Sequence, residues 1–278
     1  MDLIDTHQHL ILRHRLGYRW TSAIAALASG DFSPGDYAVS ILGKGIIGSL
    51  FMETGVDDAD YQAEARLIAG LVGTNRLLGQ IASCRPEVME GFDDWLDECG
   101  GLHVKGFRRI LHVVGDGVSQ STTFRTNLRK IGQRGLPFDL CVLARQHGLV
   151  EDLIRNHDDQ IFVLDHCGNP DIAGEAFAPW AASLRRLSAR PNLFAKLSGI
   201  TANCAPGTVT ADLLRPYVMH LLDCFGPERI VWGSDWPVVT INSTLPDWVD
   251  FTRTLLAPLT ADERRAIGSE TARKIYQL

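Results

Sequence analysis

The chain has 278 residues, 45% of them hydrophobic and 22% charged, with a formal net charge of -6 at pH 7. Such a composition is ordinary for a soluble globular protein, and its acidic balance argues against nucleic acid or an anionic membrane as a main partner, because both need a basic face. No apolar run reaches transmembrane length, no basic start leads into an apolar segment, and the six cysteines contain no CxxC or zinc-knuckle spacing; they read as buried, reduced thiols of a cytoplasmic protein.

In chain order, a short apolar start, Met1-Asp2-Leu3-Ile4, leads into Asp5-Thr6-His7-Gln8-His9. Side chains alternate along a strand, so Asp5, His7 and His9 are expected on one face, with the two imidazoles close enough to share a metal ion or one substrate oxygen. Each ring brings two nitrogens that need partners, which makes the pair a poor choice for packing alone. The polar, aromatic stretch from Arg13 to Trp20 is long enough to fold over the end of that strand. A helix is predicted at 34–42, with Pro34 early and Gly43 as terminator. The apolar run 45–52 reads as a buried parallel strand that ends at Glu53-Thr54, and an amphipathic helix follows at 57–71.

Strand-like runs then recur at 77–82, 104–111, 136–142, 161–165, 193–197 and 229–232. Helix-like stretches separate most of them near 87–98, 122–134, 145–157, 175–189 and 209–225, and two more follow at 246–256 and 260–276. Regular alternation of this kind forces parallel strands joined by right-handed crossovers. Eight such units in this length favour a closed (β/α)8 TIM barrel, one domain over 1–278, rather than an open doubly wound sheet. The first strand–helix turn has no GxGxxG, which argues against a nucleotide cofactor.

In such barrels the working site lies at the C-terminal ends of the strands. Polar residues fall at those ends repeatedly: His7 and His9, Glu53, Lys105 with Arg108-Arg109, Leu164-Asp165-His166-Cys167-Gly168-Asn169-Pro170, Lys196-Leu197-Ser198-Gly199, and Gly233-Ser234-Asp235-Trp236-Pro237. Ionisable groups at apolar strand ends are costly to bury unless paired or used. Taken in this order, DTHQH, LDHCGNP, KLSG and GSDWP resemble the amidohydrolase superfamily, and more narrowly its amidohydrolase-2 branch of sugar-lactone and related lactone hydrolases, which includes fuconolactonase-like and 2-pyrone-4,6-dicarboxylate lactonase-like enzymes. The likeness spans nearly the whole chain.

The resemblance implies that Asp235 is a general base for an attacking water. His7, His9 and His166 would then surround the carbonyl oxygen of a small-molecule lactone, directly or through a metal. One zinc ion could be held by His7, His9 and Asp235, with Glu53 as a further ligand. However, the fifth strand (136–142) lacks the histidine or lysine that zinc-dependent relatives often place near strands 4 or 5, and histidine donors alone could serve an activated ester. Arg108 offers a planar fork for substrate, or alternatively an ion pair with Glu53 inside the barrel. Lys196 and Lys105 are further cationic candidates for substrate, and Trp236 and Trp20 could wall a sugar ring or simply belong to the core. His14, His103, His112, His147, His157 and His220 read as surface or structural. The expected function is hydrolysis of a small lactone, most simply a sugar aldonolactone. The alternatives are a metal-dependent decarboxylase of a small unsaturated or aromatic acid and a non-catalytic ligand-binding barrel.

Overall fold

The computed structural model describes residues 1–278. Eight strands, β1 (Leu3–Gln8), β2 (Ile46–Met52), β3 (Leu77–Ser83), β4 (Val104–Ile110), β5 (Phe138–Cys141), β6 (Phe162–Leu164), β7 (Leu193–Leu197) and β8 (Ile230–Trp232), lie side by side in sequence order. Every neighbouring pair is parallel. The first and last strands are joined by Thr6 Oγ1 donating to the Trp232 carbonyl (2.8 Å), the Asp235 amide donating to His7 (2.8 Å) and the His9 amide donating to Trp236 (2.7 Å). The sheet is therefore a (β/α)8 barrel, as the alternation predicts.

The outer layer consists of α1 (Pro34–Ser40), α2 (Tyr61–Ala69), α3 (Phe92–Cys99), α4 (Thr122–Gln133), α5 (His147–Ile154), α6 (Phe177–Leu187), α7 (Ala211–Phe225) and α8 (Leu245–Leu256). Side-chain caps start several of them, with Ser33, Ser121, Thr210 and Thr244 each accepting a backbone N–H of the first turn. Two helices differ from expectation. α3 begins only at Phe92, after Gly91 at φ 69°, so the preceding residues form a loop that carries Glu87. The helix expected at 260–276 is broken into α9 (Ala261–Arg265), a π-turn (Ala266–Glu270) and α10 (Thr271–Tyr276). The widened turn falls where Gly268 passes the N-terminal strand, and a Cβ there would lie 2.5 Å from the Asp2 carbonyl oxygen. No helix is long and apolar enough to cross a membrane.

Apolar side chains sort into two shells. Ile4, Leu50, Met52, Ile81, Val163 and Val231 fill the barrel interior, and Ile275 and Tyr276 of α10 close its base. A larger cluster lies between strands and helices and includes the fully buried Trp180, Trp232 and Trp248. Trp248 of α8 donates its indole N–H to the Gly233 carbonyl at 2.9 Å, satisfying a buried donor and pinning α8 to the segment that carries Asp235. All six cysteines are buried and free.

One local irregularity sets the site. Between Asp5 and Gln8, β1 runs three residues against two of β2, from Asp5 opposite Ser49 to Gln8 opposite Phe51. A bulge of this kind changes which side chains face inward. Ile4 points into the barrel, whereas the Asp5 carboxylate turns outward to accept Tyr37 of α1 (2.7 Å) together with the backbone N–H groups of Ser234 (2.8 Å) and His7 (3.1 Å). Simple alternation put Asp5 on the histidine face; the bulge moves it off that face and makes it a clamp between β1 and the β8 exit.

Candidate active site

The exits of β1, β6 and β8 bring His7, His9, His166 and Asp235 together. The His7 ring lies 4.9 Å from that of His9 and 4.5 Å from that of His166, centroid to centroid. Asp235 Oδ1 is 3.4 Å from His9 Nε2 and 3.7 Å from His7 Nε2. His9 Nδ1 donates to the Met52 carbonyl at 2.8 Å. Because a carbonyl can only accept, the neutral ring turns a bare Nε2 lone pair toward the Asp235 carboxylate. Two acceptors facing each other at that distance call for a proton, a water or a cation between them.

Backbone strain and small residues maintain this geometry. Asp235 has φ 59°, and His166, Cys167 and Asn169 have φ of 54°, 56° and 49°, in the left-handed region that L side chains rarely adopt. Asn169 Nδ2 donates to the Val142 carbonyl (2.7 Å) and His147 Nε2 to that of Gly168 (2.9 Å), which holds the turn after β6 in place. A Cβ on Gly199 would lie 2.2 Å from His166 Nδ1, and one on Gly233 would lie 2.6 Å from His7 Cβ. The glycines in KLSG and GSDWP are thus the spaces that the two imidazoles occupy.

Beneath the cluster runs a buried ionic network. Arg108 donates from Nε to Glu53 Oε1 (2.7 Å) and from Nη1 to Asp165 Oδ2 (3.2 Å), with Nη1 also 3.2 Å from His7 Nε2. Lys196 bonds Asp139 and lies 3.1 Å from Asp165, and Tyr276 donates its hydroxyl to Asp139 (3.0 Å). Asp165 Oδ1 in turn faces His7 Nδ1 at 3.4 Å. Burial works against the Asp165 charge, but Lys196, His7 and Arg108 override it and hold its carboxyl well below the usual carboxylate range. Burial keeps the pKa of His7 well below that of a free imidazole. Asp139 is pushed up to about 6 by burial despite Lys196, and Glu64, behind the β2 exit, is pushed up to about 8 by burial and Glu53.

A cavity of about 510 Å³ opens above this arrangement, with His9, Asp235, His166, Arg108 and Glu53 in its lining. Trp20, Val56, Ile110 and Val238 add apolar surface to the lining, and His112, Asn169 and Asn203 add polar groups. Trp20 reaches the cavity with its indole N–H bonded to Thr54 O (3.0 Å).

Lys105, Lys196, Trp236 and the wholly buried His7 are not in its lining, whereas Glu53 and Arg108 are. Lys105 sits near the start of β4, at the far end of the barrel, where Nζ donates to the Gln277 carbonyl (3.1 Å). Lys196 is wholly buried below the cavity and has no path to a substrate. Trp236 is core, packed on Phe32 and Tyr37 at centroid distances of 5.7 Å and 5.4 Å. Glu53 stands outside the His7–His9–Asp235 donor cluster; its oxygens are taken by Arg108 and by the Gly55 amide (2.9 Å). Arg108 touches the cavity but is committed to the ion pair, the other reading of its guanidinium. The site also includes residues outside the sequence candidates. Asp165 carried its signal in the stretch LDHCGNP, immediately before His166. His112, read as surface or structural, lines the cavity with Nδ1 3.6 Å from Cys141 Sγ, and nothing local in the sequence marks it.

The family profile described as Amidohydrolase matches residues 4–278. The chain belongs to the amidohydrolase family. This amidohydrolase is similar to the L-fucono-1,5-lactonase of Burkholderia multivorans, 28% identical over 293 residues, covering 99% of this chain and 96% of the relative. It is also similar to the L-rhamnono-gamma-lactonase of Scheffersomyces stipitis, 23% identical over 195 residues, covering 62% of this chain and 56% of the relative. Among solved structures, an amidohydrolase from Burkholderia multivorans with bound zinc superposes with a TM-score of 0.90 at 25% identity, covering 100% of both chains.

The residues present fit a divalent ion. Donor atoms of His7, His9 and Asp235 lie within 4.8 Å of one another, and three protein donors plus an open water position are what a catalytic metal uses. His9 Nε2 and Asp235 Oδ1, 3.4 Å apart, leave room for such an ion to join them. The Arg108 guanidinium competes for the His7 lone pair, so the affinity of this set depends on that ion-pair network.

Proposed function

We propose that this amidohydrolase opens a small sugar lactone by attack of water on the ring carbonyl. The single observation that carries the reading is the Asp235 carboxylate facing His9 and His7 at 3.4 Å and 3.7 Å in the lining of a cavity whose wall includes His166. The names of the two lactonase relatives support it, and the cavity falls within the range of about 300–1,000 Å³ usual for small-molecule sites.

Asp235 takes a proton from water as the water oxygen bonds to the carbonyl carbon and the C=O electron pair moves onto its oxygen. His9 and His166, both in the cavity lining, face the charge that develops there, with His7 packed against both rings. As the tetrahedral adduct collapses, the ring C–O bond breaks and Asp235 returns the proton to the departing ring oxygen, giving a hydroxy acid. Asp165 holds His7 in register from below. Were a divalent ion bound by His7, His9 and Asp235, it would supply Lewis acidity toward water or carbonyl.

Asp235→Asn keeps the shape and removes the base. Turnover of aldono-1,4- and 1,5-lactones should fall by about 10²–10⁴-fold with little change in melting temperature. An Asn variant that hydrolyses lactones near the parent rate overturns the assignment.

A further inference from the structure

Three arginines, Arg85, Arg108 and Arg109, are in the lining of the cavity. Each is already bonded to a carboxylate of the chain. Arg108 is held by Glu53 at 2.7 Å, Arg85 by Asp58 at 2.9 Å, and Arg109 by Glu87 at 3.0 Å from Nε and 2.7 Å from Nη2. Arg85 is fixed further by Ser83 Oγ (2.7 Å) and lies over the Tyr61 ring at 4.4 Å. No lysine lines the cavity, and Asp235 adds a further carboxylate to its wall. His112, Asn169 and Asn203, also in the lining, offer groups suited to hydroxyls.

A carboxylate or phosphate on a ligand binds where a guanidinium fork is free to receive it. Here an anionic ligand would have to share each guanidinium with a carboxylate of the chain and would sit beside that carboxylate, setting like charge against its own. We infer that Glu53, Asp58 and Glu87 act as built-in counter-ions that close the cavity to anionic lactones, so that its ligand is an uncharged polyhydroxy lactone, and that Glu87 and Asp58 are specificity-determining residues. The pairs differ in depth. Arg108–Glu53 is buried beside His7 and belongs to the ionic network, whereas Arg109–Glu87 and Arg85–Asp58 lie nearer solvent, with Asp58 79% exposed. The two outer carboxylates can be neutralised without disturbing the histidine cluster.

This inference rests on the lactonase reading, and one matched pair of ligands separates the two. An aldonolactone and the aldarolactone with the same ring differ only in a terminal CH₂OH or carboxylate. The parent should favour the aldonolactone by about 100-fold in kcat/KM, and Glu87→Gln should raise the aldarolactone-to-aldonolactone ratio about tenfold, chiefly through KM, as about 1.4 kcal/mol of freed charge pairing requires. Asp58→Asn, at an exposed position with little bearing on folding, should shift the ratio in the same direction by a few-fold. Equilibrium binding of both lactones to Asp235→Asn, with and without Glu87→Gln, reads the charge preference independently of catalysis, because the Asp235 change is common to both proteins. Turnover of neither lactone together with retained preference for the uncharged one sinks the lactonase reading alone. Equal handling of the pair by the parent, or an unchanged ratio in both Glu87→Gln and Asp58→Asn, overturns the counter-ion assignment.

Discussion

The two ends of the barrel are built from the same eight strands and satisfy their polar groups in opposite ways. At the base, α10 closes the interior with Ile275 and Tyr276, the Tyr276 hydroxyl bonds Asp139, and Asp139 bonds Lys196. At the rim, Asp235, His166, Cys167 and Asn169 all take left-handed backbone angles, and His9 Nε2 faces Asp235 Oδ1 at 3.4 Å. Each left-handed non-glycine residue costs on the order of 1–3 kcal/mol, and the packed base and helical shell carry that cost. Rigidity and reactivity therefore sit at opposite ends, and Asp165, bonded to Lys196 below and facing His7 above, connects them.

That contrast predicts where substitutions hurt stability and where they hurt only chemistry. Lys196→Met should have the largest effect on folding. It leaves Asp139 and Asp165 buried without their shared cation, an expected loss of about 3–5 kcal/mol, read by denaturant unfolding. A Met variant as stable as the parent would mean that the network below the site contributes nothing to the fold. This stands against Asp235→Asn at the rim, where activity falls and stability holds.

A smaller and pH-dependent effect belongs to His147, which supports the turn after β6 through Gly168 O at 2.9 Å and Ser183 Oγ at 2.7 Å. Burial, with Arg186 nearby, lowers its pKa to about 4 from 6.5. A histidine whose folded pKa is depressed contributes stability that is present above pH 6.5 and lost as pH falls through 4. The contribution is about 3 kcal/mol by linkage. His147→Gln removes the titration while keeping a donor for Gly168, so its unfolding free energy should fall less than the parent's between neutral pH and pH 4; parallel curves would show that His147 does not titrate in that window. Smallest of all, Lys105→Ala should leave kcat/KM unchanged and shift stability by no more than about 0.5 kcal/mol. A marked rise in KM would place Lys105 at the substrate after all, contrary to its contact with Gln277.

Periodicity was enough to reveal the barrel, because strand and helix patterns are local and their strict alternation leaves few topologies. The gathering of His7, His9, His166 and Asp235 was legible for a related reason: a barrel places every strand's C-terminal exit on one rim. The misplacements share a cause. Lys105 and Arg108 occupy one strand, yet register alone decides which end of the barrel each reaches. Asp5 and His7 are two residues apart, and the single extra residue in β1 sends their side chains to opposite sides of the sheet.

By itself the order of residues determined the architecture, the rim and the reactive groups gathered there, since these follow from repeating local patterns. Only the tertiary structure decided which charges are free. Glu53, Asp58 and Glu87 lie 55, 27 and 22 positions from the arginines they neutralise. An ion pair between such distant groups exists only once the strands and loops carrying them are packed together.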